Sequence, residues 1–251
     1  MLDAGNLSLQ LYTVRGALGE DLDGALARVA DIGYTQVEPF AFLSLADGLA
    51  TGFARYGLSA PTSHIGLLGK DTDQEEIFAA AKGLGIKTLI DPSSDPARWQ
   101  SADGVKEIAA GLNAAAEKAA AHGLTVGYHN HAFELESKID GKHSLEVLAD
   151  NLVPEVVLEV DTYWAYVGGA DVPALLGRLG DRVVALHIKD GDGTKNNKNQ
   201  VAVGDGIIPV WDCIDATANL QVGVVELDDT SGEMFEAVER SYTYLTAGKE
   251  S

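Results

Sequence analysis

Cysteine occurs once in the 251 residues, at Cys213, so no disulfide can form within the chain, and a reducing compartment is expected. Basic residues are scarce. Eighteen Lys and Arg stand against 38 Asp and Glu, a net charge of −20. Such a surface repels phosphate backbones, so nucleic acid is not an expected partner. No run reaches the roughly 18 apolar residues of a membrane-spanning helix, so no membrane association is expected. Met1–Gln10 lacks the basic-then-apolar pattern of a leader, and the expected localisation is cytoplasmic. Neither G-x-G-x-x-G nor G-x-x-x-x-G-K-[ST] is found, which weighs against an open doubly wound nucleotide-binding sheet. There is no low-complexity tract and no linker.

What is present is alternation. Short β-rich runs occur at Leu7–Tyr12, Tyr34–Glu38, Leu58–His64, Ile86–Asp91, Leu124–His129, Val156–Asp161, Val183–Lys189 and Val222–Glu226. Their mean spacing of about 31 residues accommodates one strand, one helix and two loops. Helical periodicity fills the gaps. Leu22, Ala25, Leu26, Val29 and Ile32 share one face, as do Ile77, Ala80, Ala81 and Leu84. So do Val105, Ile108, Ala109, Leu112, Ala115, Ala116 and Ala119, and further on Val172, Leu175, Leu176 and Leu179. Gly33, Gly57, Gly85 and Gly123 follow helical stretches, where left-handed caps are expected. Eight β–α units without a break in composition predict an α/β fold, a single (β/α)₈ TIM barrel domain over residues 1–251. The polar, glycine-rich stretch Asp190–Gly206 after the seventh strand is expected to be a lid or binding loop.

The ionisable residues gather at the carboxyl ends of these strands: Glu38, His64, Asp91, His129-Asn130-His131 with Glu134, Asp161, His187 with Lys189, and Glu226. In a barrel these positions converge on one mouth, where active sites are built. A lone strand-end carboxylate often caps the next helix, and a lone histidine is often a packing residue. A whole set buried together costs heavily in desolvation, and a cation at its centre offsets that cost. Glu134, Asp161, His187 and Glu226 offer three carboxylates and one imidazole, with His129 as the alternative fifth-strand ligand. A mostly oxygen set suits manganese, the expected ion, with magnesium, cobalt or zinc as alternatives. Lys189 points the same way as His187 along the strand and is expected to hold an oxyanion or hydroxyl. The pair Tyr163–Trp164 offers aromatic faces for stacking on a sugar ring, or packs the loop.

The motifs Leu9-Gln10-Leu11-Tyr12-Thr13-Val14-Arg15, Val37-Glu38-Pro39, Ser63-His64, Tyr128-His129-Asn130-His131 with Glu134, Asp161-x-x-Trp164, His187-Ile188-Lys189-Asp190, Gly204-Asp205-Gly206 and Val225-Glu226 run from end to end. Taken together, the chain resembles the sugar phosphate isomerase/epimerase group of xylose-isomerase-like barrels. The resemblance implies one divalent metal held by Glu134, Asp161, His187 and Glu226. It implies acid–base groups at Glu38 and His129. Lys189 is expected to join them in catalysis, and His64, His131 and Trp164 are expected to contact the sugar. Keto-sugar epimerases of this group carry Glu where this chain has His129. The His-Asn-His form is similar to inosose dehydratases and to enzymes that eliminate from 3-keto-glycosides. The superfamily also holds an endonuclease with three zinc ions, but six histidines and a charge of −20 do not suit that role.

The expected function is therefore a metal-dependent sugar isomerase or epimerase in carbohydrate metabolism, moving a proton next to a carbonyl through an enediolate. The alternative is a lyase or dehydratase on a keto sugar or 3-keto-glycoside. A non-catalytic sugar-binding barrel is the reading from a different class. The expected partner is a small sugar or sugar derivative, with a homo-oligomer as a further possibility.

Overall fold

The computed structural model describes residues 2–249. Eight parallel strands are found: β1 (Leu7–Gln10), β2 (Gln36–Glu38), β3 (Thr62–His64), β4 (Thr88–Asp91), β5 (Thr125–His129), β6 (Val156–Asp161), β7 (Val183–Ile188) and β8 (Val222–Val225). They pair in the order β2-β1-β8-β7-β6-β5-β4-β3. Between β2 and β3 the pairing continues as two bridges, Gln36 with Ser59 and Phe40 with His64. The amide of Val37 donates to Ser59 O at 2.9 Å and that of His64 to Pro39 O at 2.8 Å. The sheet thus comes round as a nearly closed barrel, the expected single (β/α)₈ fold.

A helix follows each strand: α1 (Leu22–Ile32), α2 (Ala46–Tyr56), α3 (Gln74–Gly83), α4 (Ala102–Ala120), α5 (Ser144–Asn151), α6 (Val172–Leu179), α7 (Val210–Ala216) and α8 (Met234–Ala247). Their starts follow local chemistry. Asp21, Asp73, Ser101 and Asp171 each accept a backbone N–H of the first turn that has no partner inside the helix. Several ends are glycine-capped. Gly57, Gly85 and Gly123 take φ of 68°, 75° and 72°, left-handed values that favour glycine, and Gly33 takes 120°. The periodic apolar residues face inward, and Leu26, Val29, Ile108, Leu112 and Leu175 are buried against the sheet. At the carboxyl end of the strands the connections are irregular, with short helices at Arg15–Glu20, Phe133–Glu136 and Thr162–Val167. No helix is long and apolar enough to cross a membrane among the described residues.

The stretch 190–206 is ordered by one side chain. Asp190–Gly191 pairs antiparallel with Gln200–Val201. The buried carboxylate of Asp190 accepts from the amides of Gly191 (2.9 Å), Gly204 (2.9 Å), Gly206 (3.0 Å) and Ile208 (3.0 Å).

Candidate active site and metal centre

The strands bring a dense group of ionisable side chains to one end of the barrel. Glu38, His64, His129, Glu159, Asp161, His187, Lys189 and Glu226 are all buried. Two sets of four present ligand atoms within 4.8 Å of one another: His129, Asp161, His187 and Glu226, and below them His64, His129, Glu159 and His187.

In the first set, Asp161 illustrates two roles in one carboxylate. Its Oδ1 caps the helix Thr162–Val167 by accepting from Trp164 N at 2.8 Å. Its Oδ2 lies 2.9 Å from Lys189 Nζ and 3.8 Å from His129 Nε2, and accepts no directed hydrogen bond. His187 Nδ1 lies 2.6 Å from Glu226 Oε2, and Lys189 Nζ lies 2.7 Å from the same oxygen and 3.0 Å from Asp228 Oδ2. Two imidazoles and two carboxylates, with Asp161 Oδ2 held only by the Lys189 charge, make a donor set that fits a divalent ion. With His129 in place of Glu134, the set is less oxygen-rich than the sequence-based expectation, and it accommodates zinc as readily as manganese or cobalt.

Beneath this set, Glu38 Oε1 accepts from Gln10 Nε2 at 2.8 Å and lies 2.7 Å from His187 Nε2 and 3.2 Å from His64 Nε2. Glu159 Oε2 lies 2.6 Å from His64 Nε2, 3.0 Å from His187 Nε2 and 3.1 Å from His129 Nδ1.

The protonation equilibria follow from burial and from these neighbours. Burial, then the nearby Glu159, pushes Glu38 up despite His64 and His187. Burial would also raise Glu159, but His187 and His64 hold it well below the ordinary carboxylate range. His187 and His64 go the other way: burial lowers them, and their carboxylate neighbours raise them above the usual imidazole value. Burial lowers His129 well below it. Burial and the Lys189 charge bring His131 down to about 4. Asp161 is raised to about 6 by burial, against the pull of Lys189. Burial also opposes the charge of Lys189, yet Asp161, Glu226 and Asp228 hold its pKa well above the ordinary lysine value.

Above the group opens a cavity of about 360 Å³, walled by Tyr12, Phe40, His64, His129, His131 and Lys189, with Glu226 and Asp228 at its acidic side. Tyr12 and Phe40 meet edge to face, their centroids 5.2 Å apart, and form an apolar wall.

A barrel with this site has known relatives. The description "Xylose isomerase-like TIM barrel" matches residues 26–231, more than half of the chain. The chain belongs to that family. Among curated proteins, an inosose dehydratase of Lactiplantibacillus plantarum is 40% identical over 85 residues, 34% of this chain and 27% of that protein. The chain therefore matches less than a third of the length of that relative. Among solved structures, a sugar phosphate isomerase/epimerase from Parabacteroides distasonis superposes with a TM-score of 0.83 at 25% identity, covering 96% of this chain and 93% of that one. The IolI protein, solved with a bound zinc atom, superposes with a TM-score of 0.70 at 16% identity, covering 96% and 98%. At that identity the second likeness speaks for the fold.

The family barrel gathers some of the residues singled out from sequence and leaves others aside. Asp161, His187 and Glu226 meet, joined by His129 rather than by Glu134. Glu134 is buried next door, where Oε1 accepts from Tyr128 Oη and Oε2 from His131 N, each at 2.8 Å. The chain turns into the helix Phe133–Glu136 after β5, and that turn keeps the carboxylate on its own loop. His64, His131 and Lys189 stand on the cavity wall. Glu38 is fully buried behind His64 and His187 and does not reach the cavity. Trp164 lies behind Lys189, whose Nζ is 5.8 Å from its ring, and Tyr12 and Phe40 supply the aromatic wall instead. Asp91 is a structural cap, accepting from Leu67 N, Leu68 N and Ser93 N.

Glu159 was missed from sequence. The signal was there: it is the one charged residue inside the apolar run Val156–Val160, and it shares strand parity with Asp161, so both point into the barrel.

Proposed function

We propose that the protein is a divalent-metal-dependent sugar isomerase or epimerase that moves a proton next to a carbonyl through an enediolate. The observation that carries this reading is the meeting of His129, Asp161, His187 and Glu226 beside the cavity. Their chemistry suits manganese, zinc or cobalt. When bound, the ion supplies Lewis acidity for a carbonyl and its neighbouring hydroxyl.

The chain's own groups do the rest. Lys189 holds its ammonium at the cavity wall, where it stabilises charge developing on a substrate oxygen. His131 Nδ1 is buried with no hydrogen-bond partner among the described residues, and this imidazole is placed to take the proton. His64, on the same wall and paired with Glu159, is placed to return one. Glu38 serves as a positioning residue, holding His64 and His187 from behind. Tyr12 and Phe40 shield the reacting face from water.

The sugar in this reading carries no phosphate. Lys189, the one cation on the cavity wall among the described residues, is already engaged by three carboxylates. The loops after β7 and β8 are where many barrels hold a phosphate. Here the amides after β7 are filled by the carboxylate of Asp190.

A second reading, a lyase or dehydratase on a keto sugar, is favoured by the local match to inosose dehydratase. One experiment addresses both: a panel of free keto sugars, inososes and 3-keto-glycosides, with phosphorylated counterparts, incubated in heavy water with manganese. An isomerase or epimerase leaves deuterium at the carbon beside the carbonyl with the formula otherwise unchanged, whereas a dehydratase gives a product lighter by one water. Turnover of the phosphorylated members alone would overturn the neutral-sugar assignment. Exchange and product formation that persist in metal-free enzyme would overturn the metal-dependent reading.

A further inference from the structure

Glu159 sits at the centre of three imidazoles. Its Oε2 is 2.6 Å from His64 Nε2, 3.1 Å from His129 Nδ1 and 3.0 Å from His187 Nε2. A carboxylate can only accept, so each of these nitrogens carries its proton when the contact is a hydrogen bond. A neutral imidazole has one N–H, and the other nitrogen is then a lone pair. For His129 that lone pair is on Nε2, the nitrogen facing Asp161 Oδ2. For His187, Nδ1 lies 2.6 Å from Glu226 Oε2, a hydrogen-bond contact in its turn, so both of its nitrogens carry protons until an ion displaces the one on Nδ1. With an ion held there, the two rings would be used in opposite senses, and one carboxylate oxygen would set both.

We propose that Glu159 is the positioning residue of the metal centre, fixing the tautomers and ring orientations of His129 and His187 so that Nε2 of the first and Nδ1 of the second present lone pairs to one divalent ion beside Asp161 and Glu226. This rests on the metal-dependent reading of the site.

The strand geometry supports it. Glu159 and Asp161 lie two residues apart on β6 with the same inward orientation, so one strand supplies a ligand and, one layer deeper, the group that aligns the other two. The carboxylate is fully buried, and β5 and β7, which carry His129 and His187 on either side of β6, pair with it at this level: His129 is in register with Glu159 and His187 with Asp161. Ligating histidines characteristically donate their second nitrogen to a carboxylate or carbonyl, and losing that partner typically costs 10–100-fold in metal affinity. Glu38, 2.7 Å from His187 Nε2, reinforces one ring but has no contact with His129, so it cannot replace Glu159 at both.

Two measurements on the full chain test the proposal. Long-range proton–nitrogen NMR of the zinc-loaded wild type should show His129 protonated at Nδ1 alone and His187 at Nε2 alone; the reverse tautomer at either ring overturns it. Cobalt titration, followed in the visible spectrum, should give one ion per chain in wild type, and in Glu159→Gln the dissociation constant should rise by about 10–100-fold with the stoichiometry kept. Equal affinity in the variant overturns the role of Glu159 and leaves the metal reading standing. Two ions in wild type and one in the variant would make Glu159 a ligand, which also overturns it. A wild type that binds no cobalt, manganese or zinc removes the metal reading and this proposal with it. The tautomer spectrum needs no variant and so does not depend on whether Glu159→Gln folds.

Discussion

Lys189 Nζ lies 2.7 Å from Glu226 Oε2, a buried ion pair on the lip of the cavity. The same ammonium reaches Asp161 Oδ2 at 2.9 Å, so one lysine balances both carboxylates of the candidate metal centre. A divalent ion held by these residues would compete with Lys189 for the two carboxylates. Removing one partner of a buried pair leaves the other charge uncompensated, at a typical cost of about 3–5 kcal/mol. Lys189→Met should accordingly melt earlier in chelator, by on the order of 10 °C for a chain of this size. Added manganese or cobalt should restore much of the loss, and the affinity for the ion should be no weaker than in wild type. Calorimetry with and without metal reads both. An unchanged melting temperature in chelator would show that Lys189 does not balance these carboxylates.

Glu134 and Asp161 are both buried strand-end carboxylates, but they should part company on mutation. Asp161→Asn should lose most metal binding, because its Oδ2 belongs to the converging set. Glu134→Gln should keep it. The second variant also has a signature in pH. Burial raises Glu134 to about 8, above the 4.5 of the exposed group. A carboxyl whose folded pKa is raised contributes stability that is fully present below the unfolded value and is lost as pH rises through the folded one. The wild type should thus lose stability relative to Glu134→Gln between about pH 4.5 and 8, with little further change above. Urea unfolding of both proteins across that range checks it. A constant difference would place the Glu134 pKa near its ordinary value.

The loop at 190–206 should depend on Asp190. Four backbone amides converge on that one buried carboxylate, and a hydrogen bond to a charged group is worth about 1.5–3 kcal/mol. Asp190→Ala should expose residues 192–199 to protease, with cleavage at least roughly tenfold faster, since about 1.4 kcal/mol already gives that factor. Gly206→Ala should act in the same direction, because a Cβ there would meet Asp190 Oδ1 at 2.1 Å and Gly191 N at 2.4 Å. Limited proteolysis with mass mapping distinguishes this tethered loop from a freely moving one, for which neither substitution would matter.

The barrel was legible in the chain for a local reason. Each β-run and each 3.6-residue period reflects side-chain preferences within about a dozen residues, and eight repetitions leave few other ways to bury the apolar faces. The strand-end rule then placed His64, Asp161, His187, Lys189 and Glu226 at one mouth, because in a parallel barrel every strand ends on the same side. Local chemistry also foresaw the glycine caps at Gly57, Gly85 and Gly123.

Contacts across the barrel were not legible. Glu134 follows the β5 histidines closely enough in sequence to pass for a ligand, but the turn after β5 ties it to Tyr128 and His131. Trp164 was read as a sugar platform, while Tyr12 and Phe40, from loops far apart in the chain, form the wall. Glu159 looked like an interruption in an apolar strand until closure set it against imidazoles from β3, β5 and β7. Glu38 and His187 are 149 residues apart in sequence and 2.7 Å apart in space. Sequence determined which segments become strands and helices, since that depends on neighbours along the chain. Which charge compensates which was decided only when the barrel closed, because burial removes water as a partner and leaves each ionisable group to the side chains that other strands bring to it.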